Sequence, residues 1–404
     1  MTSSIHFLYS LHKFGMKFGL RNIRLLLTSA NDPHRQLCTI HVAGTNGKGS
    51  TSSMIAAILT AAGFKVGLYT SPHLVRFNER IRINGRPISD KELTDYTNRF
   101  RPEIERINAT FFEAVTAIAF NYFADQHVDI AVIETGLGGR LDATNVLQPL
   151  VSVITTIGKD HTEQLGNTIT SIAREKAGII KRRVPVVIGK MDPAAKRVMM
   201  STAKEKLSPL IEAAKISLPK SVHIQLNGQH QVMNAKAAVA AVNIVSSHFI
   251  IGDRAIHQGL SQTQELSGLR ARQELLQGRP NILLDAGHNP DGIKTLVEEL
   301  KKREQKKLVI IFAVMKDKDH HSILKQFKQL NAVIIATQPN EERALRSEIL
   351  FEECKQMEIR SFHAADVKKA LRMGKNKAGL NGLVVITGSH YLIGEALPLL
   401  EKKS

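Results

Sequence analysis

Tryptophan is absent from the 404 residues, cysteine occurs twice, and aromatic residues together make up 5%. Cys38 and Cys354 cannot build a disulfide framework or a cysteine-based zinc site. Aromatics this sparse give little material for a base-stacking platform, so a single-stranded nucleic acid ligand is poorly supported. No run of about 18 apolar residues occurs, and no membrane-spanning helix is predicted. The opening residues, MTSSIHFLYSLHKF, lack both a long apolar core and a small-residue cleavage site and make a poor secretory leader. The cytoplasm is the expected compartment. Acidic residues are also in deficit, 37 against 55 Lys and Arg, leaving a formal charge of +18. The basic residues are scattered, and the densest run, Lys301 to Lys307, falls where a helical pattern ends, a position favoured by the helix dipole. The excess suits a small polyanionic substrate as well as a nucleic acid.

What is present is the composition of a soluble globular protein, 43% hydrophobic and 23% charged, in a chain long enough for two domains. Short apolar runs alternate with helical patterns. CTIHVA (38–43), KVGLYT (65–70), VDIAVIET (128–135) and LVSVITTI (150–157) read as buried strands, with KGSTSSMIAAILTAAG and FFEAVTAIAFNYFADQ as helices between them. This rhythm predicts a parallel sheet covered by helices. A second series begins near residue 281 with strands NILLDA, KLVIIFAV, NAVIIAT and GLVVITG. The stretch 262–273, QTQELSGLRARQ, shows no clear element pattern and is taken as the boundary region, dividing the chain into 1–266 and 267–404. There is no internal repeat and no low-complexity tract.

The segment HVAGTNGKGS (41–50) lies between a predicted strand and a predicted helix. Gly44, Gly47 and Gly49 allow a phosphate to approach the backbone, Lys48 supplies a cation, and Ser50 and Thr51 place hydroxyls at a helix N-terminus. A lysine between glycines is a poor choice for a mere turn. Yet the general pattern G-x-x-x-x-G-K-[ST] is not met, because Val42 stands at the first glycine and Gly49 separates Lys48 from Ser50. Glu134 closes the strand VDIAVIE, where an acidic side chain faces a ligand crevice if the sheet is parallel.

The loop resembles that of the Mur ligase superfamily, whose members carry GTNGK without the earlier glycine. Further stretches, YTSPHLVRFNERIRINGRPIS, TFFEAVTAIAF, ETGLGGRLDATN, IGKDHTEQLG, IAREKAGIIK, GQHQVMNAKAA, LLDAGHNP, MKDKD and TGSHYLIGE, resemble the folylpolyglutamate synthase/dihydrofolate synthase family nearly end to end. The resemblance implies a larger N-terminal P-loop ATPase domain with a parallel sheet and a smaller C-terminal Rossmann-like α/β domain, with ATP held in the cleft between them. It implies a ligase that uses ATP and Mg2+ to join L-glutamate to dihydropteroate, to reduced folates, or to both, through an acyl phosphate. It further implies a monomer acting on small molecules, with no nucleic acid and no membrane partner. Another Mur-type amide ligase, such as a cell-wall precursor ligase, is the alternative within the class; TFFEAVTAIAF favours the folate branch. A nucleic-acid-binding ATPase is the alternative outside it.

Carried over residue by residue, Gly44, Thr45, Asn46, Gly47, Lys48, Gly49 and Ser50 bind phosphate, and Lys48, Glu134, His161 and Lys176 form the catalytic set. Ser50, Ser71, Glu134 and His161 are metal ligands, and Asn234, Arg272, Asp285 and His288 are nucleotide contacts. Taken alone, His161 reads as a hydrogen-bonded structural histidine, and Lys176 as a solvent-facing lysine on the helix ending near Gly178. In relatives the matching lysine of EKAG is carbamylated. Two departures stand out: the family's PGR is Arg270-Ala271-Arg272 here, so either arginine is a candidate, and DGAHN is DAGHN. His390 replaces a residue that is apolar in the family, and the sequence offers no account of it.

Overall fold

The computed structural model describes residues 3–15, 17, 19–303 and 307–401. Three residues of the basic run, 304–306, and Met16 and Phe18 therefore lie outside the described residues. The chain forms two compact units: Met1–Pro72, Phe77–Gln225 and Gln231–Leu269 make the first, and His73–Arg76, Leu226–His230 and Arg270–Ser404 the second.

The first unit holds an eight-stranded sheet. Its strands are β1 (Thr39–Ala43), β2 (Val66–Tyr69), β3 (Ile81–Ile83), β4 (Arg86–Pro87), β5 (Ile130–Glu134), β6 (Val151–Ile154), β7 (Val186–Ile188) and β8 (Leu210–Glu212), in the order β4-β3-β2-β5-β1-β6-β7-β8. Strands β2, β5, β1, β6, β7 and β8 run parallel, and β3 and β4 add an antiparallel edge. The four predicted strands are present, and every residue of β1, β2, β5 and β6 is buried, as a sheet covered on both faces requires. β3, β4, β7 and β8 are only two or three residues long, too short for a periodic signal in the sequence.

Two covering helices start at reciprocal capping boxes. Ser89 and Glu92 cap Asp90–Ile107, and Thr110 and Glu113 cap Phe111–Asp125. The helix Lys48–Ala61 is buried all round from Gly49 to Leu59, and Gly259 of the helix Asp253–Ser261 sits against Ile58, where a Cβ would meet backbone at 2.4 Å. Only a glycine lets these helices approach so closely.

The second unit holds β9 (Arg272–Leu276), β10 (Asn281–Asp285), β11 (Leu308–Phe312), β12 (Ala332–Ala336), β13 (Ser361–His363) and β14 (Leu383–Thr387), in the order β13-β12-β11-β14-β10-β9. All neighbours are parallel except β9, which pairs antiparallel with β10. Here the sequence reading needs correction. The stretch 262–273 is not featureless: it contains the helix Thr263–Ser267 and the start of β9. RQELL carries no polar–apolar alternation that marks a strand; backbone pairing with β10 makes it one. The helix Pro290–Lys301 shows the expected logic, with Asn289 capping, Pro290 in the first turn, and Ile293, Leu296, Val297 and Leu300 buried on one face.

Candidate active site

Strand order in the first unit gathers the candidate residues. β1 lies between β5 and β6, with β2 beyond β5, so the carboxyl ends of four parallel strands are adjacent. From them emerge Ser71 after β2, Glu134 at the end of β5, the glycine-rich loop after β1, and Thr155 and Thr156 after β6. Ligands of open parallel sheets bind along this edge.

The loop is held from the β6 side. Thr155 and Thr156 hydroxyls donate to the Asn46 carbonyl at 2.6 and 3.0 Å, and Asn46 N–H donates back to Thr156 Oγ1 at 3.0 Å. Thr45 N–H donates to the Thr156 carbonyl at 2.8 Å, and its hydroxyl pairs with the backbone of Gly158. A Cβ on Gly44 (φ +152°) would lie 1.9 Å from Thr155 Oγ1, and one on Gly47 (φ +86°) 2.6 Å from Asn234 Oδ1. Gly47 is the left-handed residue that opens the helix Lys48–Ala61. Asn234 is buried and donates to Gln231 Oε1 at 2.9 Å, while Gln231 Nε2 donates to Ser50 Oγ at 3.4 Å. The Thr51 side chain in the first turn is fully buried. Lys48 Nζ rests on the carbonyls of Gly44 (3.2 Å) and Thr45 (3.3 Å).

Lys176 departs from the solvent-facing alternative. Only 4% exposed, it extends from the helix Ile169–Ala177 to donate to the Gly44 carbonyl at 2.8 Å. Two lysine amines thus share one carbonyl of the phosphate loop. Burial, reinforced by the Lys48 charge and opposed by Asp160 and Asp142, pulls the Lys176 amine down to about 7. The GLGGR loop fixes its helix: Arg140 N–H donates to the Glu175 carbonyl at 2.7 Å, Arg140 pairs with the Glu175 carboxylate at 2.8 Å, and Asn145 Nδ2 donates to the Gly178 carbonyl at 3.1 Å. Behind it lies a polar chain that the sequence reading missed. Buried His41 meets Thr144 Oγ1 at 2.8 Å, and Thr144 donates to buried Asp142, which also accepts from Leu137 N–H at 2.8 Å. Burial lowers His41 to about 3 and raises the Asp142 carboxyl. Since the Thr144 proton points to Asp142, neutral His41 donates from Nε2.

Glu134 is 3% exposed and accepts from Ser71 N–H at 3.3 Å, so these two proposed metal ligands are neighbours. His161 lies in the loop after β6 in a left-handed conformation, its side chain 38% exposed and 3.9 Å from Asp160. Among the described residues no three His, Cys, Asp or Glu side chains cluster in a metal-holding arrangement. One buried strand-end carboxylate beside Ser71 fits magnesium, which takes few protein oxygens and fills its shell with phosphate and water.

In the second unit, Asp285 ends β10 opposite Arg272 at the start of β9. Burial pushes the Asp285 carboxyl up to about 6 against the opposing pull of Gly287 N–H (2.9 Å), Arg272 and His288. His288 Nδ1 donates to the Ala286 carbonyl at 3.0 Å. The two candidate arginines have different surroundings. Arg270 is engaged by Glu274 (2.7 Å) and Glu401 (3.1 Å), whereas Arg272 lies beside Asp285 and contacts His390 Nε2 at 3.5 Å.

A glycine loop stapled open over a buried helix start, with lysines trained on it from two elements, defines the first unit as that of a nucleotide-dependent, phosphate-handling α/β enzyme. Comparison with known proteins sharpens the class. Residues 42–217 match the Mur ligase middle domain, and residues 271–390 the Mur ligase glutamate ligase domain. The dihydrofolate synthase/folylpolyglutamate synthase of Bacillus subtilis is 36% identical over 95% of this chain and 95% of its own. The folylpolyglutamate synthase of Lacticaseibacillus casei is 34% identical over 97% and 96%. The solved structure of E. coli FolC in complex with DHPP and ADP superposes with a TM-score of 0.90 at 26% identity, covering 100% of this chain and 98% of that one. The chain belongs to the dihydrofolate synthase/folylpolyglutamate synthase family of Mur ligases, and it is an ATP-dependent ligase. Among the described residues, no helix is long and apolar enough to cross a membrane.

Proposed function

We propose that this protein joins the amino group of L-glutamate to a carboxylate of dihydropteroate, of reduced folates, or of both, using ATP to make the carboxylate reactive. The observation that carries the reading is the phosphate loop whose Gly44 carbonyl takes both the Lys48 and the Lys176 amines. A substrate carboxylate oxygen attacks the γ-phosphorus of ATP, the bond to the bridging oxygen breaks, and ADP leaves with an acyl phosphate formed. The glutamate nitrogen then attacks the acyl carbon, the C–O bond breaks, phosphate departs, and the nitrogen gives up a proton. Lys48 exchanges its loop carbonyls for phosphate oxygens and offsets charge as the phosphoryl group moves. Glu134, Ser50, Ser71 and His161 would hold magnesium, which supplies charge neutralisation at the phosphates when bound. Thr45 and Asn46, tied to the β6 side, hold the loop open for the nucleotide, Asn234 serves the base, and Arg272, Asp285 and His288 serve the phosphates and ribose.

Lys176, with an amine near neutrality, is the residue suited to react with carbon dioxide: its nitrogen bonds the carbon, one proton leaves, and a buried cation becomes a carbamate with two oxygens. Such a group suits magnesium far better than an ammonium does. We read the protein as a cytoplasmic monomer acting on small molecules without nucleic acid. The full-length likeness to enzymes named for folate substrates supports that reading. The test incubates purified protein with ATP, L-glutamate and either dihydropteroate or tetrahydrofolate and resolves products by mass. The expected result is a product one glutamyl residue heavier; ADP release that responds to DNA or RNA and not to pterin would refute it.

A further inference from the structure

His390 has no counterpart in the chemistry described so far, and the fold places it deliberately. β10 and β14 are adjacent parallel strands with Asp285 opposite Thr387, so the loops that follow them leave the sheet side by side. Those loops are tied: Gly388 N–H donates to the Gly287 carbonyl at 3.0 Å, and Thr387 Oγ1 to the same carbonyl at 3.4 Å. His288 follows one strand and His390, opening the helix His390–Glu401, follows the other, with ring centroids 5.4 Å apart. β9 runs antiparallel to β10 and starts at this end of the sheet, which brings Arg272 into the same group. There Arg272 Nη2 meets His390 Nε2 at 3.5 Å, while another guanidinium nitrogen, Nη1, donates to the Ala271 carbonyl at 3.4 Å.

The chemistry of the contact is informative. For His390 Nε2 to accept from a guanidinium the imidazole is neutral, with its proton on Nδ1. A neutral acceptor restricts the long arginine side chain without cancelling its charge. The carboxylates around Arg270 do the opposite: with Glu274 and Glu401 in contact, its charge is spent within the protein. Asp285, whose carboxyl burial pushes up to about 6, feels the Arg272 charge and accepts a hydrogen bond from Gly287 N–H. An apolar residue at 390 would pack there but could not hold the fork.

We propose that His390 is a positioning residue that aims the Arg272 guanidinium at a nucleotide phosphate, an inference that rests on the nucleotide reading of Arg272. The experiment measures KM for ATP, kcat and thermal midpoint for His390→Leu, His390→Gln, Arg272→Ala and the Arg272→Ala/His390→Leu pair. His390→Leu should raise KM for ATP about fivefold, with kcat within about twofold and the melting temperature unchanged. His390→Gln, which keeps an acceptor, should restore KM to near wild type. The double variant should be no worse than Arg272→Ala, because there is nothing left to aim. A raised KM that glutamine does not rescue, or additive effects in the pair, would reduce His390 to a shape role and overturn the proposal. Arg272→Ala raising KM while His390→Leu does not would overturn it too. An unchanged KM in Arg272→Ala removes the underlying reading and the proposal with it. Should the leucine variant melt early, the glutamine variant and the cycle in Arg272→Ala still decide.

Discussion

At the scale of single residues, Lys176 carries the strongest expectation. Its amine is buried and sits near neutrality, so a large fraction is unprotonated at pH 7, the form that reacts with carbon dioxide. Labelled bicarbonate should give a carbamate carbon-13 resonance that is absent in Lys176→Ala. That variant should lose activity, and acetate should partly restore it. Lys176→Arg should be inactive, since guanidinium forms no stable carbamate; a fully active arginine variant would contradict the assignment. Because the ammonium gives way to the amine as pH rises through about 7, the resonance should grow across that range at constant dissolved carbon dioxide. Glu134→Gln keeps the shape and removes the charge. It should lower kcat/KM at least a hundredfold, about 2.7 kcal/mol of transition-state stabilisation, with excess magnesium recovering only part. A magnesium titration matching wild type would assign Glu134 to structure alone. Read without the family, Lys176 is a solvent-facing lysine, because nothing in IAREKAG says which helix face meets the sheet. Packing decided: the GLGGR loop docks on that helix end and turns the amine inward.

At the scale of elements, the site is a consequence of which strand ends are neighbours. Strand identity was legible, because parallel strands buried on both faces are nearly continuous apolar runs. The order β2-β5-β1-β6 was not, and with it the role of Thr155 and Thr156. In the sequence these threonines simply prolong LVSVITTI, since threonine is a good strand former. Only the adjacency of β6 to β1 shows that they staple the phosphate loop. Thr156→Val removes the hydroxyl that both accepts from and donates to Asn46 while keeping the side chain's shape. Leaving two backbone groups without that partner costs about 1–3 kcal/mol. The loss should appear as a raised KM for ATP with KM for the folate unchanged, by initial-rate kinetics. Equal effects on both substrates would mean that the hydroxyl supports the fold at large. The same blindness hid β9: RQELL is a strand only because β10 lies beside it. Its placement separates Arg272 from Arg270, and Arg270→Ala should leave KM for ATP unchanged and lower stability instead, read by thermal melting.

At the scale of the whole molecule, the two-unit α/β architecture and the reaction class were legible because many motifs recur in order along the chain, so no single loop had to carry the reading. The polar chain from His41 through Thr144 to Asp142 was not, because His41 lies 103 residues from Thr144 in sequence and meets it only in the fold. The excess of basic residues proved neutral evidence, as a scattered charge must be. On the proposed route ATP activates a substrate carboxylate before glutamate attacks, and isotope transfer tests that step directly. Dihydropteroate carrying oxygen-18 in its carboxylate is incubated with the protein, ATP, magnesium and L-glutamate, and the inorganic phosphate is examined by mass. One labelled oxygen should appear in phosphate for each amide formed, and Lys48→Ala should abolish both. Amide formation with unlabelled phosphate would contradict the acyl-phosphate route.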